Sequence, residues 1–220
     1  MQSFTEENYL KAIYKLQEQN GETVANSDLA KMLEVQSASV TDMLKKMARK
    51  KLINYEKSKG FRLTDKGRQI AISIIRKHRL WEVFLLEKLG FAWNEVHDLA
   101  EQLEHIQSER LIDRLDDYLG NPKSDPHGDP IPDANGKMPV LSQVSLNNFP
   151  LKKNGIVSSV SNQTGQMMEM LNHYGIGIGS KIKVLKTFDF DGSLQIKISK
   201  QPACIISQQA AQNIFVYDDQ

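Results

Sequence analysis

At 220 residues the chain can form one large domain or two to three small ones, each able to bury a core, and it is too short for a large multidomain enzyme. Hydrophobic residues make up 40% and charged residues 25%, an ordinary soluble balance, with Lys+Arg against Asp+Glu at 28 to 27. That near-neutral sum is unevenly divided: residues 1–70 carry 13 basic and 9 acidic side chains, residues 71–150 carry 8 and 13, and residues 151–220 carry 7 and 5. A basic head suits a polyanion, and an acidic middle suits cations.

In chain order, Tyr9, Leu10, Ile13, Tyr14 and Leu16 recur at helical spacing and predict a helix over residues 5–18, with Thr5 as its N-cap and a stop near Asn20-Gly21. Ser27 is placed to cap a short helix through Leu33, and a tight connection leads to a second helix over residues 37–50, apolar at Val40, Met43, Leu44 and Met47. Residues 52–56 and 61–64 read as two short strands joined by a turn at residues 57–60. Helix, helix, turn, helix and basic hairpin is the order of a winged helix-turn-helix.

A longer helix is predicted over residues 64–89, stopped by Gly90, then helices over residues 94–105 and 108–119. These have more apolar face than one layer hides, which points to a dimer interface. Residues 120–139 hold five of the seven prolines and read as a linker. Beyond it, alternating runs at residues 155–160, 181–185, 193–198 and 204–206, with a helical piece at residues 166–171, fit a small β-barrel with one inserted helix. The single cysteine, Cys204, excludes an internal disulfide, and no apolar run approaches the ~18 residues of a membrane helix. The first residues, MQSFTEENYLKAIY, lack the layout of a secretory signal, so a reducing cytoplasm is the expected compartment.

A recognition helix needs small or polar residues at its first turn, so that the backbone can enter the major groove, with basic residues nearby to meet phosphates. The run from Gln36 through Ser37, Ala38 and Ser39 to Thr41 supplies the first requirement, and Lys45, Lys46, Lys57, Lys59 and Arg62 supply the second, with Thr41 and the wing lysines on phosphates. The serines also fit plain capping, and the lysines a solvated helix face. Neutralising four to six phosphates gives a log–log salt slope of roughly −4 to −5 per monomer.

In the acidic middle, His78 and Glu82 are four positions apart and share a helix face, while His97, Glu101, Glu104 and His105 follow at i, i+4, i+7 and i+8 on one stripe. Such spacing also occurs on exposed helices. A divalent ion gives the stripe a reason to converge, and oxygen-plus-imidazole ligation without thiolate favours Mn²⁺ or Fe²⁺, with Zn²⁺, Co²⁺ and Ni²⁺ competing on raw affinity.

Taken in order, residues 9–14 (YLKAIY), 40–47 (VTDMLKKM), 63–67 (LTDKG), 76–82 (RKHRLWE), 101–105 (EQLEH) and 128–132 (GDPIP) resemble the diphtheria-toxin-repressor family of metal-dependent transcriptional repressors, which includes manganese-responsive regulators. The similarity is close over residues 5–139 and looser over 140–220. It implies a mainly α fold with β: a winged helix-turn-helix DNA-binding domain over residues 1–70, a helical metal-binding and dimerisation domain with its Pro-rich linker over 71–139, and an SH3-like barrel over 140–220. It further implies no enzyme but a repressor of metal-uptake genes, a homodimer through residues 71–120, with operator DNA as partner and Mn²⁺ or Fe²⁺ as co-repressor.

The resemblance carries a primary metal site onto Asn8, Glu101, Glu104 and His105, and an ancillary site onto His78, Glu82 and His97. Glu101 stands where the iron-responsive branch has cysteine, which makes the chain similar to the manganese branch. Asn8 departs from both branches, Glu7 beside it is an alternative donor, and Lys11 stands where some manganese members place a glutamate. Asp125 and His127 lie where some relatives place metal-binding Cys and His, so they either complete one of the sites or serve as a turn former and an exposed loop residue. In the barrel, the positions where the family can donate Glu and Gln are Thr164 and Met167, both poor ligands.

In the mechanism this suggests, metal bridges helix one to the dimerisation helices and sets two recognition helices about one DNA turn apart. Two other classes compete. A metal-dependent enzyme on the same Glu/His cluster would need paired Glu-x-x-His motifs, which the chain lacks. A winged-helix repressor sensing an organic ligand would replace the metal by an apolar cavity in the helical middle.

Overall fold

In the computed structural model of the chain, residues 3–218 are described apart from 22, 57–59, 94, 140–142, 163 and 200. The described residues form two compact units that do not follow chain order. The first comprises residues 1–78, 101–110 and 132–137; the second comprises 79–100, 111–131 and 138–220.

The first unit opens on α1 (Phe4–Asn20). Its N-cap is Ser3 rather than Thr5, because Ser3 completes a reciprocal capping box: its Oγ accepts from Glu6 N–H at 3.3 Å, and its own N–H donates to Glu6 Oε2 at 3.2 Å. Leu10 and Ile13 are fully buried on its inner face. The next helices are α2 (Asn26–Met32) and α3 (Ser37–Arg49). Ser27 lies inside α2, whose N-cap is Ala25 without a side-chain bond, so the predicted serine cap is not formed.

Strands β1 (Ile53–Glu56) and β2 (Gly60–Leu63) pair antiparallel with Ile53 opposite Leu63 and Tyr55 opposite Phe61. A bridge from Val24 to Phe61 fastens this hairpin to the segment before α2. Gly60, at φ +106°, permits that approach, since a Cβ there would sit 2.2 Å from the Val24 carbonyl oxygen. The winged helix-turn-helix order is therefore present, although Lys57 and Lys59 lie outside the described residues.

Helix α4 (Asp65–Glu87) contributes residues to both units, and Thr64 Oγ1 accepts from Gly67 N–H at its start. Helix α5 runs only over Val96–Leu103 and α6 over Glu109–Tyr118. Because α5 stops at Leu103, Glu104 and His105 belong to the turn that follows it, and the predicted four-residue helical stripe is not continuous.

In the second unit, β3 (Val144–Ser145), β4 (Asn154–Val160), β5 (Lys181–Thr187), β6 (Leu194–Ile198), β7 (Cys204–Ile206) and β8 (Ile214–Asp218) form one antiparallel sheet in the order β3-β8-β4-β5-β6-β7. Register shifts at Val157/Ser159 and Val184/Lys186 bend it, as β-bulges do. The sheet packs a core of Val157, Ile182, Val184, Ile196 and Ile214 against α7 (Gly165–His173) and α8 (Gln208–Asn213). Short β3, α8 and β8 were not anticipated, yet the last was legible: buried Ile214 and Val216 alternate with the more exposed Phe215 and Tyr217.

Candidate metal centre and DNA-reading surface

The acidic groups of the middle segment divide into two clusters, one in each unit. In the first unit, α1 offers Glu7 and Lys11, one helical turn apart, to the end of α5 and the segment that follows it. Glu7 Oε2 meets His105 Nδ1 at 2.6 Å, and its Oε1 accepts from Gln107 Nε2 at 2.6 Å. Phe4 stacks on the His105 ring at 4.6 Å. Lys11 Nζ donates to Glu101 Oε1 at 2.7 Å and to Glu104 Oε1 at 2.6 Å. The other Glu104 oxygen meets His78 Nδ1 at 2.7 Å, so this fully buried carboxylate is engaged on both sides.

Glu7, not Asn8, is the α1 residue that reaches His105; Asn8 Oδ1 is buried without a hydrogen-bond partner. His78, carried over to a set with Glu82 and His97, also meets Glu104 within the first unit. The donor set fits a divalent ion poorly while an ammonium group stands between two of its three carboxylates, Glu101 and Glu104.

The second cluster is built on the later part of α4, the start of α5 and the Pro-rich segment. His97 Nδ1 lies 3.2 Å from Glu82 Oε1, and His127 Nδ1 lies 3.7 Å from the same oxygen. Single donor atoms of Glu82, Asp125 and His127 all fall within 4.8 Å of one another, and all three residues are buried. The reading of His127 as an exposed loop residue is thus overturned: it is 1% exposed, and its carbonyl accepts from Val160 N–H of β4 at 2.9 Å.

Asp125 proves to be a turn former and a cluster member together. Its Oδ1 accepts from the backbone N–H of His127 at 2.8 Å and of Asp129 at 3.0 Å. Arg79 Nε approaches Oδ2 at 3.6 Å. Gly128, at φ +84°, lets the turn sit on the sheet, because a Cβ there would lie 1.7 Å from Ser158 O.

His127 Nε2 lies 3.3 Å from the Trp93 carbonyl, which only accepts, so the proton belongs on Nε2 and Nδ1 is left as a donor atom toward Glu82. Nδ1 is buried with no hydrogen-bond partner. An imidazole lone pair facing a carboxylate calls for a proton or a cation between them. Burial, then the Glu82 and Asp129 carboxylates, push the Asp125 carboxyl up to about 8. Burial alone would lower His127, but Glu82 and Asp125 outweigh it and raise the imidazole. Two carboxylates and two imidazoles, with an orphaned donor atom, fit a divalent cation that displaces the Asp125 proton.

Comparison with known proteins places these clusters in context. The iron dependent repressor N-terminal DNA binding domain matches residues 1–61, the iron dependent repressor metal binding and dimerisation domain residues 64–133, and the FeoA domain residues 144–218. A solved manganese-dependent transcriptional repressor in complex with manganese is 35% identical and superposes with a TM-score of 0.88, covering 97% of this chain and 99% of the other. The chain belongs to the diphtheria-toxin-repressor family of metal-dependent transcriptional repressors. A cadmium-bound structure of the repressor-family member ScaR is 33% identical with a TM-score of 0.83, covering 97% and 99% of the two chains. The iron-dependent repressor IdeR of Mycobacterium tuberculosis is 39% identical over 128 residues, 58% of this chain and 55% of its own. The chain thus matches about half the length of such curated relatives.

Within this diphtheria-toxin-repressor fold, Gln36, Ser37, Ala38 and Ser39 are exposed at the first turn of α3, where backbone and short side chains are free of overhanging bulk. Lys45 is exposed beside Asp42 at 3.2 Å, and Arg62 is exposed on β2. Thr41 is partly committed elsewhere, since its Oγ1 accepts from Asn26 Nδ2 at 2.9 Å and donates to Ser37 O at 3.0 Å. Lys46 reaches Glu6 Oε1 at 3.1 Å and Lys50 reaches it at 2.7 Å. Buried Glu6 is therefore an anchor between α1 and the recognition helix that the sequence reading missed, although the Ser-x-x-Glu spacing at residues 3–6 signals it. In the barrel, Thr164 is the exposed N-cap of α7, and Met167 lies in the core. No described helix is long and apolar enough to cross a membrane.

Proposed function

We propose that this chain is a DNA-binding transcriptional repressor that controls metal-uptake genes, with Mn²⁺ or Fe²⁺ as co-repressor and Zn²⁺, Co²⁺ or Ni²⁺ able to substitute. The carrying observation is the buried Glu82–Asp125–His127 cluster in a chain that matches a manganese-dependent repressor along nearly its whole length. Glu82, His97, Asp125 and His127 would hold the ion, and the ion would take the place of the proton on Asp125.

The functional division follows the three domains read from the sequence: residues 1–70 meet operator DNA, residues 71–139 sense metal and dimerise through 71–120, and residues 140–220 form the appended SH3-like domain. Leu111 and Tyr118, 41% and 67% exposed, leave apolar surface in that dimerising span. The protein acts in the cytoplasm and catalyses no reaction. Glu82 lies on α4 four residues after His78, so an ion held at Glu82 acts on the helix whose His78 faces Glu104. Moving the binding-competent population from 1:99 to 99:1 requires a differential affinity of about 5.5 kcal/mol between the two states.

The test is a Mn²⁺ and Fe²⁺ titration of binding to a duplex selected from a random pool, with the native chain and with a Glu82→Gln, Asp125→Asn variant. Metal-dependent binding in the native chain and its loss in the variant are expected. Equal, metal-independent binding by both would overturn the sensor reading.

A further inference from the structure

We propose that Lys11 serves as a built-in cation in the cluster between α1 and residues 101–107, standing where a divalent ion would otherwise bridge them, so that this chain takes up one regulatory ion rather than two. The inference rests on the proposed function only for the one remaining site.

Glu7, Glu101 and Glu104 bring three carboxylates together around His78 and His105, a donor set that by itself would attract a divalent ion. Lys11 Nζ is 2.7 Å from Glu101 and 2.6 Å from Glu104, on a side chain only 8% exposed. An ion bound between the same two carboxylates would meet the ammonium at contact distance, and like charges that close in a buried place repel strongly. The ion enters only if the lysine leaves, and leaving means withdrawing a buried charge from two partners.

Topology supplies the consequence. Lys11 is 90 and 93 residues from Glu101 and Glu104 in sequence. One turn earlier on the same helix, Glu7 holds His105 and Gln107. An acid and a base on α1 thus pair with a base and two acids on the facing segment, and the tie between the first helix of the DNA-reading head and residues 101–107 is complete without metal. Lys11 removes one ion requirement from the switch and leaves response to the Glu82, Asp125 and His127 cluster.

The experiment counts tightly held Mn²⁺ per full-length chain, from the electron paramagnetic resonance of free aqueous Mn²⁺ during titration at neutral pH. The native chain and Lys11→Arg are expected to hold one ion, and Lys11→Met and Lys11→Gln two. The metal-free melting temperature should fall in the last two and recover with Mn²⁺ by more than the native shift. Two tight ions in the native chain overturn the proposal, and that count needs no variant to fold. Folded Lys11→Met and Lys11→Gln chains that keep the native count overturn it as well. A native count of zero rising to one in Lys11→Met upholds the role of Lys11 and overturns the Glu82, Asp125 and His127 reading, which separates the two failures.

Discussion

His127 and Trp93 are joined through a hydrogen bond of 3.3 Å from the imidazole Nε2–H to the Trp93 carbonyl, reinforced by ring stacking at 5.4 Å. The bond selects the tautomer: with its proton on Nε2, the ring presents a bare Nδ1 to the Glu82 carboxylate. A backbone carbonyl thereby sets which nitrogen of this ring faces the Glu82 carboxylate. Second partners of this kind orient ligands throughout metalloproteins, and their loss commonly costs 10–100-fold in affinity.

Asp125→Asn and His127→Gln should each weaken Mn²⁺ binding by on the order of 100-fold, because each removes a donor from a buried set that has few others. Isothermal titration calorimetry measures this directly, with circular dichroism checking the fold. A variant that binds Mn²⁺ as the native chain does would remove that residue from the site.

Metal-free stability should fall as pH rises. The Asp125 carboxyl, at about 8 in the folded chain, keeps a proton that an unfolded chain releases near ~3.9, so folding is progressively disfavoured across that window. His127, also raised, contributes stability present below ~6.5 and lost as pH climbs through its folded value. The same proton on Asp125 competes with metal, so Mn²⁺ affinity should rise by up to about tenfold per unit between about pH 6 and 8 and then level off. Titrations in buffers of different ionisation enthalpy count the released protons. Asp125→Asn should flatten the profile.

Gly128→Ala should destabilise the chain by about 3 kcal/mol, combining a left-handed backbone with a Cβ placed 1.7 Å from Ser158 O. Urea denaturation gives the value. Adding saturating Mn²⁺ should recover only part of it, because the displaced turn also carries His127.

Glu6→Ala removes the return bond of the α1 capping box and the buried partner of Lys46 and Lys50, at a cost of about 1–3 kcal/mol. Burial alone would raise the Glu6 carboxyl, but bonds from Lys50 and Lys46 hold it below the ordinary range. Its contribution is therefore present above ~4.3 and lost on acidification, a pH dependence opposite in sign to that of Asp125. Thermal melts from about pH 3 to 7 should show the native chain and variant converging at the acidic end.

Arg62→Ala and Lys45→Ala should each lower the log–log salt slope of operator binding by about one per monomer while leaving sequence preference unchanged. Ser39→Ala should alter preference more than slope. Lys46→Ala behaves differently, losing stability along with affinity, because Lys46 also pairs with Glu6.

Periodicity alone determined most of the secondary structure: the winged head, the long α4 and the alternating strands all follow from spacing that a single chain records. Charge segregation pointed to an anion for the head and a cation for the middle, and the ordered motifs pointed to the family. The partition of the carboxylates was another matter. Spacing placed His97, Glu101, Glu104 and His105 on one stripe, but α5 ends at Leu103, and the chain then turns Glu104 and His105 toward α1. Equally, nothing local distinguishes Lys11 from a solvated helix lysine, or His127 from a loop residue. Each acquires its role from partners more than thirty residues away in sequence, Glu101 and Glu104 for the one, Trp93 and Glu82 for the other. Local sequence sets which face of an element is apolar. Which buried carboxylates meet an ammonium group and which meet imidazoles is decided only when tertiary folding brings distant charges into contact.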